Sequence, residues 1–168
     1  GDSLVCIYAN GASDTKNTLQ AGWGQVLQNY IKDAEVVDLG NSGVTAPGLA
    51  GSAITQVATS GKPGDILLLE SGYNDRSYVT QDAMREALEY MYEVSIAVGV
   101  DPVFVSPNAS QHDYKASVSW GGALLAKADE LGAKKIDLGA LSYNFFTSVY
   151  SSADDVKATY NVSDGLHS

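Results

Sequence analysis

The sequence predicts a single α/β domain with a mostly parallel central sheet. From Ala21 onward, stretches with the apolar spacing of a helix alternate with short apolar runs, the pattern of strands joined by crossover helices. The run Asp65-Ile-Leu-Leu-Leu-Glu70 is apolar without alternation, as expected of a strand covered on both faces and therefore central in its sheet. A length of 168 residues suits one domain, and no internal repeat, low-complexity segment or linker divides it.

Taken in order, Val26, Leu27, Tyr30 and Ile31 share one face and predict a helix over residues 23–33. A short strand over residues 35–39 should follow. Asn41-Ser-Gly-Val-Thr45 reads as a loop, Pro47 suits the first turn of a helix, and Leu49, Ile54 and Val57 carry that helix to Gly61. Beyond the strand at 65–70, Thr80 is an N-cap, and Met84, Leu88, Met91, Val94 and Ile96 predict a long helix that stops near Gly99. A strand over 102–106, a helix over 117–131 ending at Gly132, a strand over 135–138 and a helix over 141–149 complete the alternation. Residues 4–9 are expected to be a loop or a short helical entry, and residues 160–168 a turn-rich tail.

Composition removes several classes of function. Twenty acidic against ten basic residues give a formal charge of −10, so nucleic acid and anionic membrane surfaces are not expected partners. With 45% hydrophobic and 18% charged residues the chain is not of the disordered class, and no apolar stretch approaches the roughly 18 residues of a membrane span. Cys6 is the only cysteine, which rules out an internal disulfide, and its expected role is that of a small apolar residue. His112 has no His or Cys at ligand spacing, so no metal is expected. Gly61-Lys62 is not a phosphate loop and Gly22-Trp-Gly is not a dinucleotide fingerprint, because Gln56, Pro63 and Leu27 stand where those motifs need other residues. No cofactor is expected. Asn108-Ala-Ser and Asn161-Val-Ser fit the glycosylation sequon and are read as chance matches.

Three loops follow a predicted strand or sit where one should be, the edge at which open parallel sheets place their ligand sites: residues 40–43, 72–75 and 164–167. A fourth element, Gly1-Asp2-Ser3-Leu4, opens the chain. Each alone is an ordinary turn. Together, in this order, they resemble the four blocks of the GDSL, or SGNH, serine hydrolases over essentially the whole chain, and Gly22-Trp23-Gly24-Gln25 resembles the rhamnogalacturonan-acetylesterase-like branch of carbohydrate esterases. The resemblance implies a three-layer α/β/α, flavodoxin-like fold. It makes Ser3 the nucleophile, His167 and Asp164 of Asp164-Gly-Leu-His167 the rest of the triad, and Ser3, Gly43 and Asn74 the oxyanion hole. These residue types suit that chemistry. A serine hydroxyl needs a neutral imidazole to take its proton, a carboxylate fixes the imidazole tautomer, and amide N–H groups stabilise the tetrahedral oxyanion.

The family's first strand precedes its nucleophile and a final helix follows its histidine. Neither is found, so residues 1–168 are expected to be one SGNH domain truncated at both ends, inside a longer chain with room for further domains. Tyr73 stands where the acetylesterase branch carries histidine, and Val44 where arginine often follows the second-block glycine. Both changes favour a neutral acetylated glycan over a polyanion, as does the net charge. The expected activity is removal of O-acetyl groups from a carbohydrate. A lipid esterase or thioesterase on the same machinery, and an inert glycan-binding module, are the alternatives. The resemblance favours secretion or a cell-surface location, while the first residues show neither a signal peptide nor its absence.

Overall fold

The computed structural model describes Gly1, Val5 and residues 22–109, 114–152 and 154–155. Three strands, β1 (Ile66–Glu70), β2 (Asp101–Val105) and β3 (Lys134–Ile136), form a parallel sheet in the order β1-β2-β3. Leu68 lies opposite Val103, and Val103 opposite Lys134. Parallel neighbours need long crossovers, and here each contains a helix. The helices in chain order are α1 (Trp23–Leu27), α2 (Ala46–Gly51), α3 (Ala53–Ser60), α4 (Asp75–Tyr78), α5 (Gln81–Ala97), α6 (Tyr114–Leu131) and α7 (Leu138–Val149). The α/β class and the parallel sheet are those the sequence predicts.

The core lies between the sheet and the layer formed by α2, α3, α5 and α6. Leu49, Ile54, Met84, Leu88, Met91 and Leu124 form one buried cluster with Phe104 of β2, which is fully buried. On the outside of this layer Arg85 and Lys127 tie α5 to α6 through Glu130 and Glu89. Hydrogen bonding by Arg85 and then Lys127 lowers the Glu130 carboxyl below its ordinary range, and the hydrogen bond to Glu89 raises the Lys127 ammonium. The carboxylates of these pairs are exposed while Arg85 and Lys127 are partly buried, and the pairs contribute modestly to stability.

Several predicted elements differ in detail. The first helix ends at Leu27 rather than residue 33, because the Gln28 side chain organises the turn that follows. Its Nε2 donates to the carbonyls of Ile31 and Ala34 (2.8 and 3.1 Å), and its Oε1 accepts from Val36 N–H at 2.7 Å. Residues 35–40 run without a ladder partner among the described residues, so the strand predicted over 35–39 is not formed there. The helix predicted from Pro47 to Gly61 is two helices. It breaks at Ser52, whose hydroxyl donates to the Gly48 carbonyl at 2.8 Å and whose backbone leaves the helical region. The strand over 65–70, expected to be central, is an edge strand among the described residues, and Ile66 at its start is 66% exposed. Helix α7 begins three residues early because Asp137, read as part of a strand, is its N-cap and accepts from Ala140 N–H at 3.0 Å. Apart from Val5, a buried turn residue, the expectations for residues 4–9 fall outside the described residues, as do those for residues 160–168.

Thr80 does cap α5, its hydroxyl accepting from Ala83 N–H at 3.2 Å. Thr80→Ala should lower the stability of the chain by about 1 kcal/mol, and Thr80→Ser should restore most of it. Urea unfolding would show this as a lower midpoint at unchanged slope.

Candidate active site

The carboxyl end of β1 passes directly into Ser71-Gly72-Tyr73-Asn74, and Asp75 begins α4. Asp75 is completely buried. Its Oδ2 accepts from the Ser71 hydroxyl at 2.7 Å and from Gly72 N–H at 2.9 Å, and its Oδ1 accepts from Ala46 N–H at 2.8 Å. The first two bonds shape the loop that holds Asn74. The third reaches across to the first residue of α2 and satisfies an N–H that a helix start leaves without an intrahelical partner. Thr45, the N-cap, makes no side-chain cap of its own. A carboxylate at that position is also favoured by the helix dipole.

A second bond joins the same two loops, for Asn74 Nδ2 donates to the Val44 carbonyl at 3.1 Å. It fixes the rotation of the Asn74 amide relative to Gly43, the residue before Val44. Gly43 has φ of 76°, a conformation costly for a side-chain-bearing residue, and no described residue lies within 4 Å of where a Cβ would stand. Glycine is thus needed for the backbone turn. Gly1 reaches this edge as well. Its carbonyl accepts from Asn41 N–H at 3.0 Å, and a Cβ on it would lie 2.9 Å from Oε2 of Glu70, which is itself buried.

Two of the predicted site residues, Gly43 and Asn74, are therefore on neighbouring loops linked by hydrogen bonds. Ser3, Asp164 and His167 lie outside the described residues. The loop after β1 also carries a stacked pair, with the Arg76 guanidinium carbon 4.1 Å from the Tyr73 ring centroid and its Nη2 donating to the Tyr73 hydroxyl at 2.9 Å. No group of three or more His, Cys, Asp or Glu side chains among the described residues is arranged to hold a metal.

Sequence reasoning missed three residues at this edge. Asp75 stood beside Asn74 in the motif and was readable only as a loop polar residue or helix cap. A carboxylate at a strand-to-helix junction is nevertheless the residue type that collects backbone N–H groups. Glu70 closed an otherwise apolar run, an unusual place for a charge that becomes buried. Asn108 was visible only as part of a sequon.

An open parallel sheet with a Gly and an Asn presented by adjacent loops at its carboxyl edge is the arrangement of the GDSL, or SGNH, hydrolases, and the comparisons show that fold. The three-layer α/β/α expectation thus stands. No family model matches the sequence. The chain is 30% identical over 162 residues to YxiM, an uncharacterized esterase of Bacillus subtilis (strain 168), covering 89% of this chain and 41% of YxiM. The YxiM crystal structure superposes with a TM-score of 0.83 at 28% identity, over 99% of this chain and 49% of that one. A lipolytic protein of the G-D-S-L family from Veillonella parvula gives a TM-score of 0.65 at 16% identity, over 89% of this chain and 80% of that one. Axe2, an acetylxylan esterase from Geobacillus stearothermophilus, gives 0.59 at 19% identity, over 77% of this chain and 67% of that one. The chain spans less than half the length of YxiM. No described helix is long and apolar enough to cross a membrane.

Asp75→Ala would leave three donors in the site loops without their acceptor, and an unmet buried group costs about 1–3 kcal/mol. The variant should lose at least about 2 kcal/mol in urea unfolding.

Proposed function

We propose that the chain is the catalytic body of a serine esterase that removes O-acetyl groups from a carbohydrate. The observation that carries the reading is the double tie, through Asp75 and the Asn74 amide, that sets two oxyanion-hole loops side by side at the carboxyl edge of the sheet. In this reading Ser3 Oγ attacks the ester carbonyl while His167 takes its proton. Asp164 holds the imidazole, and the oxyanion accepts from the N–H groups of Ser3 and Gly43 and from the Asn74 amide. The proton passes to the departing sugar alkoxide oxygen to give the free alcohol, and water then releases acetate from the acyl-enzyme by the same route. The esterase relative supports ester hydrolysis, and the acetylxylan esterase of like fold supports an acetylated glycan as its object.

In the same reading residues 1–168 belong to one SGNH domain, and because they span 41% of YxiM, experiments on activity belong on the full-length protein.

Ser3→Ala and His167→Ala should each lower kcat on aryl acetates by several orders of magnitude, because the pair acts as a unit. Asn74→Ala should cost about a hundred- to a thousandfold in kcat through one lost oxyanion donor. Near-normal turnover in Ser3→Ala would end the proposal, and faster turnover of p-nitrophenyl octanoate than of acetate would replace the glycan by a lipid ester.

The pH profile tests the base separately. His167 must be neutral to accept a proton, an ordinary imidazole titrates near about 6.5, and a neighbouring carboxylate favours the cation. Activity should therefore be low in acid and rise through roughly pH 6–7. Asp164→Asn should move that rise to lower pH and lower the plateau, and a rise near pH 4 unaffected by Asp164→Asn would identify a carboxylate as the base instead.

A further inference from the structure

The loop that leaves β2 at the same sheet edge, Ser106-Pro107-Asn108-Ala109, is held at nearly every point. Ser106 N–H donates to the Ile136 carbonyl at 3.0 Å, and the Ser106 hydroxyl donates to Asp137 Oδ1 at 2.9 Å while accepting from Gly139 N–H at 2.9 Å. Ala109 N–H donates to the Ser142 hydroxyl at 2.8 Å. Pro107 packs against the third-block loop, so that a Cβ on Gly72 would lie 3.3 Å from its Cγ. Against this background Asn108 stands out, since its side-chain oxygen is buried and has no hydrogen-bond partner among the described residues. Leaving a buried acceptor unpaired is unfavourable, and such groups in native structures call for a specific explanation, a ligand among them.

We propose that Asn108 is a specificity-determining residue that binds a free hydroxyl on the alcohol portion of the ester. This deepens the esterase reading of the site and rests on it. The loop adjoins the one that presents Asn74, so a group bound there is within reach of the same substrate. The chemistry of the oxygen selects the group. An amide oxygen needs a donor, and neither an ester carbonyl nor an acyl chain carries one. The hydroxyls next to the acetylated position of a sugar do, and a hydroxyl that donates to Oδ1 can also accept from Nδ2. A site built around such a pair discriminates strongly against an analogue that lacks the hydroxyl, because the buried amide is then left unpaired.

The test compares three substrates in the full-length protein: a mono-O-acetylated sugar with free neighbouring hydroxyls, the per-O-acetylated form of that sugar, and p-nitrophenyl acetate. Asn108→Ala should reduce kcat/KM on the mono-acetate by about ten- to a hundredfold, chiefly through KM, and change the other two by less than about twofold. Asn108→Asp, which keeps an acceptor, should recover part of the loss. Because the oxygen removed has no partner among the described residues, the urea midpoint of Asn108→Ala should be unchanged or higher. Equal loss on all three substrates would make Asn108 a structural or base-positioning residue, and undiminished use of the mono-acetate would also overturn the proposal. Ser3→Ala, measured on p-nitrophenyl acetate alone, tests the esterase reading independently of either outcome.

Discussion

The arrangement at the carboxyl edge depends on one buried carboxylate. Asp75 gathers donors from its own loop and from the start of α2, two segments 29 residues apart in sequence. A charge fully withdrawn from water persists only where hydrogen bonds replace its hydration, and here three do so. The exchange works in both directions, because the N–H of Ala46 at the start of α2 and that of Gly72 in a tight turn need acceptors as much as Asp75 needs donors. Asn74 is the adjoining residue in the chain. Its amide therefore takes its orientation from a network that also determines where α2 begins, and a change in Asp75 cannot be confined to a single loop.

The same device recurs one strand further on. Where Asp75 joins the end of β1 to α2, the Ser106 hydroxyl and Asp137 join the end of β2 to the start of α7, with Asp137 capping that helix at the same time. Both devices place a short polar side chain at a strand end and satisfy helix N–H groups with it. Hydrogen bonds thus hold the backbone of this edge at several points, which suits donors that stabilise an oxyanion without reorganising during the reaction. They also bear on the unpaired Asn108 oxygen, since a group on a slack loop could turn to find a partner of its own.

The periodicity of the sequence revealed the order of helices and strands, because apolar spacing is a local property that the fold leaves in place. Thr80 and Gly99 marked the ends of α5 for equally local reasons, a cap and a turn with positive φ. The misses were non-local. Residues 23–33 looked helical until the Gln28 side chain is seen to prefer the carbonyls beyond it, and Asp137 looked like strand because capping is visible only once α7 is placed. Residues 35–39 carry a strand pattern, yet a strand exists only with a partner, and none is described. Gly43 and Asn74 were legible because a motif names them. Asp75, Glu70 and Asn108 were not, since what distinguishes them is burial and hydrogen bonding contributed by distant parts of the chain.

Charge and site chemistry lead to a consistent view of the substrate. A chain of net charge −10 gains nothing from long-range attraction to an acidic polymer, and its field would slow the approach of one. The described groups at the sheet edge are chiefly amides, backbone N–H groups and hydroxyls already in use, with the Arg76 guanidinium stacked on Tyr73. Recognition by such groups acts over hydrogen-bond distances, which salt screens little and which suits a neutral, hydroxyl-rich molecule. On the proposed reading the loops divide the work on such a substrate: those after residue 40 and after β1 act on the carbonyl, and the loop after β2 tests the alcohol to which the acetyl group is attached.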